Sequence, residues 1–361
     1  MIISAGPRRF SSAAAVQQPS QPAAWTQVTI PAALATSTGA RMLLAASDGY
    51  LYVGGNTGSG IYRALVSDLL ANPNGATWQD LTATWPSHAG SLMAVSCLSE
   101  GPNGEIFAGA GIDTSGTAST WCVVAKWTGS AWSVSNTFGP RYQTTGVDFD
   151  SAGNIWAMGK QDGIFKSTNG GATFTLVHAN PYAAFGQATG YVFSMRIFGD
   201  RIYWGGEGAV NSTNLAFDSN TVECAATGTY SGNHQDISSD GTQTVAPTEM
   251  IASGRVISGT GQHAQRKFGG TWSDVVSASS ANWIAGATVK GPAAHEFYIG
   301  GTRAGGGGGV IKTTNGTTWA LFNDGLSSAA MDTTGRMAIS SLGTLFLQAR
   351  DASSNRTLWI R

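Results

Sequence analysis

Short apolar segments separated by turns rich in Gly, Asn and Asp repeat along the whole chain. In the first unit, residues 41–47 are apolar, Asp48-Gly49 marks a turn, and residues 50–55 form a second predicted strand. Two further strands are predicted at residues 60–65 and 77–81. No segment keeps a helical period of about 3.6 residues, so the chain is predicted to be almost entirely β.

The second strand of this unit recurs in the later units, and each copy ends in glycine. Its copies lie at residues 106–109, 155–159, 202–206, 256–259 and 297–301. Glycine inside or at the end of a strand is typical of places where another backbone approaches closely. The pattern therefore predicts crowding between neighbouring units at this end of the strand.

An aromatic residue marks the fourth strand of most units. Six such residues recur at intervals of 53, 54, 42, 98 and 47 residues, and the interval of 98 spans two units, one of which has lost its aromatic near Val222. They are Trp25, Trp78, Trp132, Phe174, Trp272 and Trp319. A period of roughly 40 to 50 residues made of short strands is typical of propeller blades. The sequence therefore predicts an all-β fold, a seven-bladed β-propeller.

The two ends of the chain are predicted to share one blade. Residues 336–361 align with residues 41–65, which supply three strands and no fourth. Residues 24–28 resemble the fourth strands at 77–81 and 271–275, so an N-terminal strand is expected to close the ring and cover two open sheet edges. In an alternative register, residues 329–361 form a complete blade and the early strand is extra. The predicted domains are an extended N-terminal arm at 1–23 and the propeller at 24–361.

The turns before the aromatic residues resemble the Asp-box, or BNR, repeat. Residues 167–174 (STNGGATF) follow its Ser-x-Asp-x-Gly-x-Thr-Trp pattern with Asn169 for Asp and Phe174 for Trp, and residues 74–78 and 313–319 match in part. The resemblance implies a folding element in which a polar side chain ties a turn beneath a packed aromatic ring. Asn can do this by bonding its own turn. The resemblance covers the repeats and implies no active site.

Charge and cysteine content narrow the classes of function. The net charge is −1, so no long-range field attracts nucleic acid or an anionic membrane, and neither is an expected partner. Charged residues make up only 11% of the chain, with six Lys against fourteen Arg. Cys97, Cys122 and Cys224 are odd in number and widely spaced, so they are expected to pack as small apolar groups. No apolar stretch is long enough to predict membrane insertion.

The N-terminal segment has the composition of a linker. Residues 1–10 lack the apolar core of a secretory signal, and residues 11–22 are rich in Ala, Ser, Gln and Pro. A low-lysine surface typical of extracellular proteins, on a chain without a secretory signal, fits a tailed-bacteriophage virion protein that assembles in the host cytoplasm. The arm is then expected to dock on another virion subunit, and the alternative is a passive leader. The candidate docking residues are Ile2, Ile3, Arg8, Arg9 and Phe10.

One face of the predicted propeller carries the loops between fourth and first strands and between second and third strands, where ligands usually bind. These loops combine aromatic rings with Arg, Asp and Glu. Such a set suits a sugar, because an aromatic side chain stacks on the C–H face of the sugar while polar side chains form hydrogen bonds with the sugar hydroxyls. The alternative for each aromatic residue is packing beneath its loop. The candidate rim residues are Trp85, His88, Arg141, Tyr142, Asp162, Tyr182, Glu207, Trp283 and Arg303.

Catalytic and metal motifs are weak. A sialidase-like site needs a Phe/Tyr-Arg-Ile-Pro segment near the start, whereas the chain offers only Met-Arg-Ile-Phe at 195–198. Hydrolysis by two carboxylates requires that Asp162 and Glu207 converge. Residues 148–154 open like a calcium loop, but Ala152 replaces a ligand, so a hairpin turn is expected there. No catalytic residue, metal or cofactor is predicted.

Three functions remain open from the sequence. The preferred one is a non-enzymatic structural or adhesion protein of a phage tail, attached by its arm and with host-surface glycan as the candidate ligand. The alternatives are a carbohydrate-active bacterial propeller, either a lectin or a sialidase-like glycoside hydrolase, and a protein-binding scaffold. The least regular segment, residues 218–250, contains a polar loop predicted at 229–247, and its residues 229–236 are the first candidates for a contact that other blades lack.

Overall fold

The computed structural model shows seven four-stranded antiparallel sheets and one two-stranded hairpin within the part of the chain that it describes. Each sheet is one blade. The described residues also include one short α-helix, α1 (Val66–Ala71), after the third strand of the first blade and one turn of 3-10 helix at Thr82–Thr84. The described residues are 20–36, 40–88, 90–111, 122–139, 143–160, 162–179, 192–206, 209–225, 232–256, 264–275, 283–303, 308–326, 336–351, 353 and 355–361.

The strands follow the chain in order from the closing strand to the last blade. The closing strand, blades 1 to 3 and the hairpin comprise β1 (Thr26–Val28), β2 (Ala40–Ala45), β3 (Tyr50–Gly55), β4 (Ile61–Leu65), β5 (Gln79–Asp80), β6 (Ser87–His88), β7 (Ser91–Leu92), β8 (Ala94–Glu100), β9 (Ile106–Gly111), β10 (Val123–Trp127), β11 (Trp132–Val134), β12 (Thr144–Phe149), β13 (Ile155–Gly159), β14 (Gly163–Ser167) and β15 (Thr175–His178). Blades 4 to 7 comprise β16 (Val192–Phe198), β17 (Arg201–Gly206), β18 (Ala209–Asn214), β19 (Asn220–Ala225), β20 (Gly232–Ser239), β21 (Glu249–Val256), β22 (Ala264–Phe268), β23 (Thr271–Asp274), β24 (Trp283–Lys290), β25 (Phe297–Arg303), β26 (Gly308–Thr313), β27 (Ala320–Leu321), β28 (Met337–Ile339), β29 (Leu345–Arg350) and β30 (Arg356–Ile360).

The first strands of the seven blades contact one another in sequence, and β28 returns to contact β2. These strands therefore surround a central channel, and the chain is a closed seven-bladed β-propeller, as the sequence predicts. The last blade has the order β1-β30-β29-β28, with Thr26 opposite Ile360 and Val28 opposite Leu358. The predicted closure by an N-terminal strand is confirmed. The alternative register is wrong, because β1 is the outer strand of the seventh sheet.

Indole rings connect successive blades. Trp25 and Trp132 are 3% and 5% exposed, and their indole N–H groups donate to Phe322 O (2.6 Å) and Leu81 O (3.0 Å). Trp78 donates in the same way to Thr29 O at 2.9 Å. Each of these acceptors is the first residue after the fourth strand of the preceding blade. These three tryptophans thus bury apolar surface and also satisfy a carbonyl at the end of the neighbouring sheet.

The glycines that end the second strands lie where blades converge. A Cβ placed on Gly54 would lie 2.5 Å from the Val95 Cβ of blade 2, and one on Gly109 would lie 2.9 Å from the Thr144 Cβ of blade 3. Real Cβ atoms do not approach so closely without a backbone shift. The crowding predicted from the strand-ending glycines is therefore confirmed at these two positions.

The structure departs from the sequence prediction in blade 5. The polar stretch predicted as a loop at 229–247 contains β20, the innermost strand of that blade, and the second strand is β21 rather than residues 256–259. The sequence of β20 lacks apolar alternation because its register places Asp236 at the channel instead of in a core between sheets. The helix α1 was also not predicted, since only Val66, Leu69 and Leu70 form its buried side.

Candidate functional site

The propeller has two faces that differ in their loops. Because strand direction alternates within each blade, the loops from fourth to first strands and from second to third strands lie on one face, called here the upper face. The turns from first to second and from third to fourth strands lie on the opposite, lower face. The predicted rim belongs to the upper face, and the turns that resemble Asp-boxes belong to the lower face.

Trp85 lies within the upper-face loop between blades 1 and 2. Its ring is only 4% exposed, its indole N–H donates to Met93 O at 2.8 Å, and it meets Trp132 edge to face with ring centroids 5.1 Å apart. The ring therefore packs beneath the loop and offers no open face on which a sugar can stack. His88 lies nearby in the β6–β7 hairpin and is half-buried.

Asp162 is closely packed between blades 2 and 3. A Cβ on Gly139 would lie 3.1 Å from the Asp162 Cβ, and one on Gly159 would lie 2.8 Å from it. The Cys122 thiol contacts Asp162 Oδ2 at 3.5 Å, and burial together with this carboxylate raises the Cys122 pKa well above its ordinary value. Asp162 itself is 8% exposed. This geometry is that of a structural carboxylate enclosed by protein.

The remaining rim residues are only partly described. The backbone register of blade 6 pairs Trp283 with Arg303, so these two predicted rim residues lie directly opposite each other at the upper end of β24 and β25. Arg141, Tyr142, Tyr182 and Glu207 lie outside the described residues, as do Ile2, Ile3, Arg8, Arg9 and Phe10 of the arm. The predicted convergence of Asp162 with Glu207 therefore also lies outside them.

The described chain enters the ring from the lower face. The Gln21 side-chain amide donates to Leu342 O at 2.8 Å, in the turn between β28 and β29. The Trp25 N–H then donates to Asp324 O at 2.7 Å, and β1 runs upward from there beside β30. The first described residues therefore lie at the face opposite the predicted rim.

An acid–cation pair beside an aromatic ring recurs on the lower half of four blades. In each, a Lys or Arg on the third strand lies opposite an aromatic residue of the second strand. The same cation forms an ion pair with a carboxylate in the turn between the first and second strands. In blade 6, Lys312 lies 2.6 Å from Glu296 and 5.0 Å from the centre of the Tyr298 ring. The other three sets are Asp48, Tyr52 and Arg63; Glu105, Phe107 and Lys126; and Asp150, Trp156 and Lys166.

The lower-face turns have the hydrogen bonds expected of the resemblance. Asn169 Oδ1 accepts the Thr173 N–H at 3.0 Å, and Asn315 Oδ1 accepts the Thr318 N–H at 2.9 Å. Phe174 is 3% exposed beneath the first of these turns. These residues therefore act as folding elements, with Asn tying its own turn.

The segment that opens like a calcium loop is a hairpin turn, as predicted. Asp150 Oδ1 accepts the N–H groups of Ala152 (3.1 Å) and Asn154 (2.8 Å), and the Trp156 indole donates to Asp150 Oδ2. Although burial opposes the change, these hydrogen bonds and Lys166 hold the Asp150 pKa below its ordinary value. Among the described residues, no group of three or more His, Cys, Asp and Glu side chains is placed to hold a metal ion.

The central channel contains a charged cavity that the sequence did not reveal. Six of the seven first strands carry a one-residue register shift near their upper end, and two of the residues at these shifts, Ser96 and Thr145, line the channel with polar side chains. At this level lies a cavity of about 60 Å³ whose lining includes Ser194, Arg196, Asp236 and Arg336. Burial lowers the pKa of Arg336, and the nearby Asp236 opposes that shift. The sequence feature that could have indicated this cavity is the alignment of Arg336-Met337 with Arg41-Met42, which places an arginine at the start of two first strands.

Comparison with solved structures agrees with the fold. A GH74 xyloglucanase from Xanthomonas campestris superposes with a TM-score of 0.64 at 16% identity over 94% of this chain and 55% of that chain, so this chain spans about half the length of the xyloglucanase. YCF48 from Cyanidioschyzon merolae gives a TM-score of 0.63 at 14% identity over 93% of this chain and 99% of that one. Virginiamycin B lyase from Staphylococcus aureus gives 0.57 at 11% identity, covering 93% of this chain and 97% of that one.

These likenesses concern the propeller fold alone, because the identities are low. No protein-family model and no curated protein sequence matches the chain. Within its described part, the chain contains no helix with the length and apolar character needed to cross a membrane.

Proposed function

We propose that the protein is a non-enzymatic structural and adhesion subunit of a tailed-phage virion. Its N-terminal arm docks on another virion subunit, and its upper face is presented to glycan on the host surface. The observation that carries the proposal is the polarity of the molecule. Gln21 binds the chain to a lower-face turn and β1 runs upward from there, so attachment through the arm leaves the upper-face loops directed away from the particle.

The surroundings of Asp162 favour binding over hydrolysis at the upper face. A general acid or nucleophile must reach a substrate oxygen or carbon, whereas this carboxylate is enclosed by Gly139, Gly159 and the Cys122 thiol. The pairing of Trp283 with Arg303 at the upper end of blade 6 supplies an aromatic and a cationic residue at one place. These are residue types that a sugar-binding surface uses.

The carbohydrate-active alternative differs in a measurable outcome. A glycoside hydrolase would release reducing sugar from host polysaccharide, and the release would be lost on Glu207→Gln. The proposal expects no release by the purified full-length protein. A turnover that depends on Glu207 would contradict the non-enzymatic part of the proposal and leave the attachment part to be tested separately.

Attachment is tested by removing residues 1–19, which leaves every described contact in place. The truncated protein is expected to remain folded and soluble, with a melting temperature within about 2 °C of the full chain, because the altered residues lie before β1. Particles assembled with it should lack the propeller when their proteins are quantified by mass spectrometry. Normal occupancy of the truncated protein would show that attachment runs through the blades.

A matched control keeps the length of the arm and changes its anchors. Replacing Ile2, Ile3 and Phe10 with Ser preserves the linker while removing its apolar side chains. The proposal expects the same loss of occupancy as with the truncation. Loss on truncation with normal occupancy of the triple variant would assign docking to other residues of the arm.

A further inference from the structure

We propose that the central channel binds a small monovalent anion between Arg196, Arg336 and Ser194. The site lies in the cavity at the level of the register shifts and is independent of the proposed role in the virion. Its ligand class follows from the charge, the hydrogen-bonding capacity and the size of that cavity.

The two guanidinium groups have far more donors than described acceptors. Each guanidinium carries five N–H donors. Among the described residues, Arg336 donates to Gly286 O at 3.2 Å and Arg196 donates to Met195 O at 3.5 Å. Both residues line the cavity, so an anion held there can accept charge-assisted hydrogen bonds from either guanidinium.

Ser194 provides an independent indication of a ligand. It lines the same cavity, its side chain is 7% exposed, and its Oγ has no hydrogen-bond partner among the described residues. A hydroxyl group can donate to an anion that two guanidinium groups hold from other sides. Donors from β16 and from the segment before β28 thus line one cavity.

Two carboxylates lie near the cavity, and each accepts two backbone hydrogen bonds. Asp236 lines the cavity, but its Oδ1 accepts the Ile237 N–H at 3.0 Å and its Oδ2 accepts the Thr288 N–H at 3.2 Å. Asp148 lies outside the lining and accepts the N–H groups of Phe149 and Ile197. The lining itself holds two cations and one carboxylate. Burial raises the pKa of Asp148 behind the lining, although Arg196 opposes that shift. A monovalent anion in the cavity neutralises the surplus positive charge of the lining.

The cavity opens into the channel, and its volume suits a small ligand. A volume of about 60 Å³ accommodates roughly four water-sized molecules, given that one water needs about 15 Å³. A chloride ion with ordered water fits this space, whereas a sugar ring does not. The anion would also tie β16 to the segment before β28 across the channel and thereby stabilise the closed ring.

The test compares thermal unfolding of the full-length protein in sodium chloride and in sodium gluconate at equal ionic strength. A ligand that binds only the folded state raises the melting temperature in a saturable way. Chloride is therefore expected to raise it and gluconate, which is too large for the cavity, is not. Identical melting curves in the two salts at every concentration would contradict the proposal.

Two serine variants separate the channel from general salt effects. Ser194→Ala should raise the chloride concentration needed for half of the shift by about tenfold. Ser253→Ala should not, because Ser253 is a fully buried serine outside the cavity lining, and its hydroxyl has no hydrogen-bond partner in the described part of the chain. Equal chloride responses in both variants and the parent protein would place any bound ion elsewhere and overturn the assignment.

Anomalous scattering from bromide detects the bound anion directly, without relying on the melting temperature. Crystals grown in bromide should show an anomalous peak between Arg196, Arg336 and Ser194, and the peak should be absent from Arg336→Met. If Arg336→Met does not fold, Ser194→Ala serves in its place and should show a weaker peak. Water alone in the parent protein's channel at high bromide concentration would contradict the site.

Discussion

Single tryptophan residues join neighbouring blades, because the ring packs against apolar side chains while the indole N–H donates a hydrogen bond. The indole N–H groups of Trp25, Trp78 and Trp132 each reach a carbonyl beside the preceding blade. Trp319 is buried to the same extent as Trp132, yet its N–H has no hydrogen-bond partner among the described residues. The periodic aromatic residues therefore share one packing role and differ in their hydrogen bonds.

That difference gives a prediction for tryptophan-to-phenylalanine substitutions. Trp132→Phe keeps an aromatic ring but removes the donor to Leu81 O, so it should lower the free energy of unfolding by about 1 to 2 kcal/mol more than Trp319→Phe does. Urea denaturation followed by circular dichroism measures both values. Equal losses in the two variants would show that the indole hydrogen bond contributes nothing beyond packing.

The lower-face carboxylates give stability a defined pH dependence. Although burial opposes the change, hydrogen bonds from Lys312, the Ala293 N–H and the Tyr298 hydroxyl hold the Glu296 pKa below its ordinary value. Ionised Glu296 therefore stabilises the fold above the pKa of the unfolded chain, and this contribution is lost as pH falls through the lower folded value.

Glu296→Gln should consequently lower the free energy of unfolding at pH 7 by about 1 to 3 kcal/mol, the range for hydrogen bonds to a charged group. The difference between the variant and the parent protein should shrink below pH 4. Thermal melting at pH 7 and pH 3 measures it. A difference that stays constant with pH would assign the loss to packing alone.

At the scale of elements, the strands predicted correctly are those that a local sequence pattern identifies. Turn residues, strand-ending glycines and the aromatic period identified six blades directly, and the likeness between residues 24–28 and other fourth strands identified β1. The strand β20 was missed because its polar residues belong to the channel, where no apolar alternation is required. The acid–cation pairs and the anion cavity were missed because they join residues that only the sheet register brings together.

The closing strand has a testable energetic role. Deleting residues 1–31 removes β1 with Trp25, exposes the edge of β30 and should lower the free energy of unfolding by about 3 to 5 kcal/mol, as expected for a large buried aromatic. Deleting residues 1–19 should leave it unchanged within about 0.5 kcal/mol. Denaturant titration of both proteins provides the measurement, and equal stability of the two would exclude β1 as the closing element.

At the scale of the whole molecule, the ring separates two surfaces. The lower face contains the tied turns, the acid–cation pairs and the point where the chain enters beside Leu342. The upper face contains the loops of the predicted rim, including the exposed Ser87 in the β6–β7 hairpin and the paired Trp283 and Arg303 backbones. Under the proposed attachment through the arm, the upper face would point outward without any conformational change in the blades.

Site-specific labelling of intact particles tests this orientation most directly. Ser87→Cys and Ser341→Cys place one thiol on the upper and one on the lower face, and both serines are exposed. The native thiols should not react, because Cys97, Cys122 and Cys224 are buried and burial raises the Cys97 pKa to about 12.

In the free protein, a maleimide reagent should label both variants at similar rates. In assembled particles, the account predicts that the thiol at position 87 still reacts and that the thiol at position 341 is protected at least tenfold. Protection of position 87 with free access to position 341 would contradict the account.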